Sequence, residues 1–213
     1  MLDSHGFDMW ADGYDETVDI SDSNNVYPFA GYRKIMNAIY GTIMKDRPAK
    51  ILDIGIGTGI VASKLFEGGN DITGIDFSSE MLSKARTSMP KAKLMQFDFA
   101  KGLPHELAGT KFDFIVSTYA LHHLSDEAKI SFIQSLLGYL NETGSIIIGD
   151  VGFQNREDLE KCKDSCGDDW DNDEFYFVFS ELCKELNDTC TVSYHPFSYC
   201  SGIMEIFPSY SKH

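Results

Sequence analysis

"ILDIGIGTGI", residues 51–60, runs from an apolar stretch into three glycines spaced two apart, with Asp53 just ahead of the first. An apolar run of this length reads as a strand buried on both faces. The residues that follow, Ile60, Val61, Leu65 and Phe66, recur at helical spacing up to the stop signal Gly68-Gly69. Glycines at the turn between such a strand and helix let the backbone tighten, and bring its N–H groups and the helix N-terminus against a ligand.

The same cycle repeats along the chain. "DITGIDFS" reads as a strand, "SEMLSKARTSM" as a helix closed by Pro90, and "AKLMQFDF" and "KFDFIVSTYA" as two more strands. "SDEAKISFIQSLLGYL" places Ile130, Ile133, Leu136, Leu137 and Leu140 on one helical stripe, with Ser125 as N-cap and residues 141–144 as the exit. "SIIIGD" is the fifth strand. Apolar strands alternating with helices predict an α/β protein, a Rossmann-like doubly wound parallel sheet with helices on both faces. After residue 150 the rhythm changes to an acidic, helical stretch and then a helix over 174–186, with Phe175, Val178, Phe179, Leu182 and Leu186 inward. "TCTVSYH" and "SGIMEIF" read as two antiparallel strands that finish the sheet. Ahead of it, "NNVYPFAGYRKIMNAIYGTIM" reads as a helix led in by Pro28.

At 213 residues the chain suits one domain. The expected division is an N-terminal helical lid (1–48), a cofactor-binding core (49–150), and C-terminal helices with the final strand pair (151–213). The absence of a long apolar run and of a signal-peptide pattern in the opening residues predicts a soluble, cytoplasmic protein. The five cysteines, at 162, 166, 183, 190 and 200, form an odd set without CxxC or paired histidine spacing. Reduced thiols and no metal are expected, with Cys162 and Cys166 sharing a helix face. The net charge of −15 gathers in residues 1–25, with seven acids and no Lys or Arg, and in 151–174, with nine acids against three basic residues. Such a balance repels phosphate backbones and argues against nucleic-acid or anionic-membrane partners.

Asp53, Asp76 and Asp98 recur at one strand–helix interval, each at or near the carboxyl end of its strand. In a parallel sheet those ends share the edge where ligands bind, so the three carboxylates are expected to line one cleft. A dinucleotide fingerprint needs G-x-G-x-x-G/A, whereas Ile60 stands at the third fingerprint position here. A carboxylate beside the loop opposes a diphosphate but suits an ammonium and a sulfonium. An acid after the second strand fits a ribose diol, and one after the third accepts from an exocyclic amine.

With "LDIGIGTG" as motif I, "GIDFS" as the ribose-binding acid, "QFDF" as the adenine-contacting acid and "FDFIVSTYALHHL" as the fourth strand, the chain resembles the class I S-adenosylmethionine-dependent methyltransferases over about residues 7–207. The opening "FDMWADGYDETV" is similar to the start of the type 11/12 small-molecule branch, and "YALHHL" resembles the YrrT-like proteins. The resemblance implies a seven-strand sheet ordered 3-2-1-4-5-7-6 with the seventh strand antiparallel. It also implies S-adenosyl-L-methionine as cofactor, S-adenosyl-L-homocysteine as product, and a small-molecule acceptor. Carried over position by position, Asp53, Gly55, Gly57 and Gly59 hold the methionine portion, Asp76 the ribose, and Asp98 with Phe99 the adenine, with Phe77 among the cofactor-binding residues. Met81 packs on the adenine or serves the core. Tyr119 and Ala120 floor the cleft, and Tyr14 closes over the cofactor or packs on the sheet.

Methyl transfer from a sulfonium needs few catalytic residues, because the leaving group is already activated. If the acceptor loses a proton, the weak candidates for a base are His122 and His123, with Asp150 near the same edge and His5 and His195 behind them. Acceptor recognition is expected in residues 1–48, where Tyr14, Tyr27, Phe29, Tyr32 and Arg33 combine aromatic surface with a cation, and in 151–188. Two other readings stay open: a non-catalytic S-adenosylmethionine-binding protein on this scaffold, and an NAD(P) oxidoreductase using Asp76 on its ribose.

Overall fold

The computed structural model describes Val18 and residues 21–209. Tyr14, His5 and the rest of residues 1–17 lie outside the described residues.

The stretch 51–60 folds as its pattern requires. β1 (Lys50–Ile54) is the central parallel strand, between β2 (Asp71–Asp76) on one side and β4 (Phe112–Thr118) on the other. α2 (Ile60–Glu67) leaves the glycine turn and stops at Gly68, whose N–H bonds back to Lys64 O. α3 (Ser79–Ser88) is capped by the Ser78 hydroxyl, which accepts from Met81 N, and leads to β3 (Lys93–Gln96). Beyond β4 come α4 (Asp126–Leu137), β5 (Leu140–Phe153), α5 (Arg156–Cys166), β6 (Phe177–Val178), α6 (Phe179–Leu186), β7 (Cys190–Pro196) and β8 (Ser201–Pro208). Ahead of β1 stands α1 (Tyr32–Ile43).

The strand order is β3-β2-β1-β4-β5-β8-β7, with the short β6 paired to β5 off this path. β8 runs antiparallel to both β5 and β7, which gives the implied order once the two-residue β6 is set aside. Alternation along β1 divides the core. Ile51 joins the apolar layer of α1 and α2, with Ile35, Ile39, Val61 and Leu65, while Leu52 and Ile54 join that of α4, with Ile133 and Leu136. Asp53 therefore points to the α1–α2 face.

Three local expectations need correction. The helix expected over 174–186 begins only at Phe179, because Phe177 and Val178 pair with Gly152 and Phe153 of β5 and Phe175 N donates to His122 O at 2.8 Å. Phe175 is exposed instead of inward. Residues 141–144 are not a helix exit: Gly138 ends α4, and Leu140 already pairs with Phe112 at the start of a 14-residue β5. Asn141 Nδ2 holds Asp113 Oδ1 at 2.6 Å, tying that strand end to its neighbour. The N-terminal helix starts at Tyr32, after Gly31, not at Pro28. Its Ile35, Ile39 and Ile43 are fully buried, and a Cβ at Gly149 would lie 2.5 Å from Ile35 Cγ2, so α1 is a packed layer over β5.

Candidate active site

A cavity opens at the carboxyl ends of β1, β2 and β4, where a doubly wound sheet holds its ligands. It contains about 690 Å³ free of protein atoms, part of it open to solvent. Its floor is Gly55, Ile56, Gly57 and Thr58 of the glycine turn; Asp76, Phe77, Met81 and Phe99 line one end. Tyr119 and Ala120 also line it. Tyr32 and Met36 of α1 face it together with Thr118 and His123.

The three motif glycines do different work. At Gly57 the backbone has φ of 56° and an added Cβ would meet nothing within 4 Å, so the space above it belongs to the cavity. At Gly55 a Cβ would lie 2.5 Å from Ala120 Cβ, and at Gly59 it would lie 2.6 Å from Met89 Cε. Gly59 thus seats α2 against α3 and is not among the residues that line the cavity.

The acids also separate. The Asp76 carboxylate accepts from Gly57 N at 2.8 Å and from Ser78 N at 2.9 Å, so it fixes the glycine turn while facing the cavity. Asp53 is buried two residues before Gly55, behind the glycine turn and not among the cavity-lining residues, and among the described residues its Oδ1 has no hydrogen-bond partner. Burial, reinforced by Asp76, pushes its pKa up to about 7. Asp98 departs from the expected convergence. Its side chain is 43% exposed, caps the turn at Ala100 N and pairs with Lys101 at 3.1 Å, and it is not among the cavity-lining residues, although Phe99 is.

The turn after β4 carries the two histidines. Tyr119 adopts φ of 49°, a left-handed conformation that costs a non-glycine residue about 1–2 kcal/mol, and its ring packs between Phe29 and Tyr32. His122 is buried, donates from Nδ1 to Asp150 Oδ1 at 2.6 Å, and places Nε2 3.4 Å from Glu174 Oε1. Burial opposes a charge on His122, but Asp150 and Glu174 outweigh it and push the pKa up to about 10. With both ring nitrogens engaged by carboxylates, His122 is not placed to take a proton from an acceptor. His123 does line the cavity; burial and the adjacent His122 push its pKa down to about 4. Glu174 resists burial through its bonds with His122 and Tyr176, which hold its pKa down to about 2.

Tyr176 donates to Glu174 Oε2 at 2.6 Å and also bonds Tyr27, whose ring stacks on Trp170 at 5.2 Å. Phe29 packs edge-on against Tyr32. Arg33, expected as the acceptor's cation, is paired with Asp22 at 3.3 Å and does not line the cavity. His195 is exposed on β7. Cys162 and Cys166 share a face of α5 with sulfurs 3.9 Å apart. Glu174 is the residue that sequence reasoning missed: it ends a run of acids, and only the neighbouring Trp170 and Tyr176 hint that this segment turns inward.

Residues 51–144 match the model of a methyltransferase domain. The chain is 35% identical over 156 residues to an uncharacterized methyltransferase of Geobacillus sp. (strain WCH70), covering 73% of this chain and 70% of the relative. It is 34% identical over 151 residues to another from Alkaliphilus oremlandii (strain OhILAs), covering 71% and 68%. Among solved structures, the DhpI-SAH complex superposes with a TM-score of 0.71 at 17% identity, over 98% of this chain and 96% of the other. Magnesium protoporphyrin IX methyltransferase (ChlM) from Synechocystis PCC 6803, with bound SAH, gives 0.66 at 19% identity, over 85% of each chain. At these identities the superpositions speak for the fold. Among the described residues no helix is long and apolar enough to cross a membrane.

Proposed function

From the premise that this chain belongs to the class I S-adenosylmethionine-dependent methyltransferases, we propose that it methylates a small molecule by in-line displacement, in the cavity beyond β1, β2 and β4. The observation that carries this reading is the concentration of glycine turn, Asp76, Phe77, Met81, Phe99 and Tyr119 around one concave space. The chain's own groups fit a cationic sulfonium nucleoside. Gly57 leaves open space, and Asp53 keeps an unpartnered buried oxygen whose ionisation a nearby cation favours. S-Adenosylmethionine, when bound, supplies a methyl group on a sulfur that already carries positive charge.

The remaining work is binding, alignment and exclusion of water. Gly55, Gly57 and Asp53 take the methionine portion, Asp76 and Phe77 the ribose, and Met81 and Phe99 the adenine. Asp98, exposed and paired with Lys101, contributes by shaping the turn that carries Phe99. Tyr32, Met36, Thr118, Tyr119 and His123 bound the acceptor side, and their aromatic and apolar surface suits a compact organic molecule better than a polymer. The net charge of −15 supports the exclusion of nucleic acid. A single domain (1–213) working in the cytoplasm completes this reading.

Isothermal titration with S-adenosylmethionine tests the first step; no heat of binding at millimolar cofactor refutes it. Transfer of labelled methyl groups from the cofactor into the low-molecular-weight fraction of a cell extract tests the second. Label found only in protein or nucleic acid refutes the small-molecule acceptor.

A further inference from the structure

The cluster of His122, His123, Glu174 and Asp150 holds more than displacement at a sulfonium requires. His122, His123 and Glu174 each offer one ligand atom, and these atoms lie within 4.8 Å of one another. Behind them Asp150, itself buried, accepts the Nδ1–H of His122 at 2.6 Å, the support that orients a metal-bound imidazole and fixes its tautomer. The Tyr176 hydroxyl occupies Glu174 Oε2 and leaves Oε1 turned toward the two rings.

We propose that His122, His123 and Glu174 bind a divalent first-row transition ion of the zinc class, with Asp150 as the positioning residue. Two imidazole nitrogens and one carboxylate oxygen suit zinc and its neighbours; magnesium and calcium prefer oxygen alone. Three protein ligands leave at least one coordination position open, as at zinc sites that do chemistry. His123 borders the cavity, so the open position falls at its acceptor end. An acceptor oxygen held there loses its proton more readily, because a bound divalent ion lowers the pKa of its ligand. This last role rests on the small-molecule methyltransferase reading; metal uptake itself does not. In this assignment His123 serves as a ligand, and the proton lost by the metal-held acceptor oxygen passes to solvent water, with no protein base taking it.

The test uses the full chain, stripped with a chelator and returned to metal-free buffer. Zinc is titrated in competition with a chromophoric chelator, and cobalt(II) is followed by its visible absorption bands. The expected result is one equivalent bound at micromolar or tighter affinity. Glu174→Gln and His123→Ala abolish it, and Asp150→Asn weakens it by about 10–100-fold. Circular dichroism checks that each variant is folded. Glu174→Gln is the decisive variant because its side chain is partly exposed. Failure of the wild-type chain to take up either ion stoichiometrically overturns the proposal, as does uptake that Glu174→Gln and His123→Ala leave unchanged. S-Adenosylmethionine titrated into metal-free Glu174→Gln is expected to bind as in the wild type. Metal uptake by a wild-type chain that does not bind S-adenosylmethionine would refute the functional reading and leave the metal site standing.

Discussion

Asp76→Ala puts the organisation of the glycine turn to the sharpest test. The carboxylate receives two backbone N–H groups, Gly57 at 2.8 Å and Ser78 at 2.9 Å. Hydrogen bonds to a charged group contribute about 1.5–3 kcal/mol each. The two losses are unequal. Gly57 borders the cavity, where water replaces the lost acceptor, whereas Ser78 is fully buried and its N–H is left unsatisfied. Removing Asp76 also relieves its repulsion of the Asp53 carboxylate, which offsets part of the cost. The net destabilisation is about 2 kcal/mol, which for a chain of this size lowers the melting temperature by about 4–8 °C. Cofactor affinity falls further, by about 1–3 kcal/mol, because the ribose hydroxyls lose their acceptor. Urea denaturation and calorimetric titration read the two effects separately. A variant with wild-type melting and wild-type affinity would refute the assignment of Asp76 to both tasks, and reduced stability with unchanged affinity would confine it to the turn.

Asp53 sets a pH dependence. Its pKa in the folded chain, raised to about 7 by burial and by Asp76, lies above that of an unfolded aspartate. The folded state therefore holds more protons between about pH 4 and 7, and cofactor-free stability falls as pH rises through that window. Binding of a cationic cofactor strengthens over the upper part of the same window, and Asp53→Asn flattens both profiles in thermal melts and titrations. Gly57→Val fills the open space and abolishes cofactor binding, and its strain at φ of 56° lowers the melting temperature while the circular dichroism spectrum of the folded variant stays that of the wild type. Gly59→Val instead drives a side chain into Met89 and Ala85 and lowers the melting temperature. Lys129, buried on α4 with Nζ 2.8 Å from Asp126 and over the Phe177 ring, lies away from the cavity. Lys129→Met keeps its length without the buried charge, so the urea midpoint stays level or rises and cofactor affinity is unchanged.

The cofactor half of the molecule was legible because short-range signals dictate it. Strand, glycine turn and helix lie within residues 50–67, and the Asp76 and Phe99 segments repeat the pattern. Period and turn chemistry suffice for such units. What they do not resolve is which glycine serves packing and which serves a ligand. Gly59 was indistinguishable from Gly57 until Met89 was found against it, and Asp98 looked like Asp76 until Lys101 drew it outward. The region proposed to meet the acceptor depends on contacts between residues far apart in the chain. Tyr27 meets Tyr176 across 149 positions, and His122 meets Asp150 across 28. Glu174 itself is one acid in an acid-rich run and carries no mark of burial; the only local hint is the pair of aromatic neighbours, Trp170 and Tyr176. The helix boundary at 174–178 failed for the same reason: pairing with β5, and not local propensity, decided the backbone there.

β5 extends well past the cofactor edge, through Asp150 and on to Phe153, where β6 attaches beside it. It thereby serves as a shared spine for two regions that contact it at different heights. The lower one is built by β1 and β4, while the upper one hangs on a two-residue pairing, so the segment between α5 and β6 can change with little demand on the strands below it. On the proposed reading, substitutions in that segment alter the choice of methyl acceptor and leave the affinity for the donor as it was.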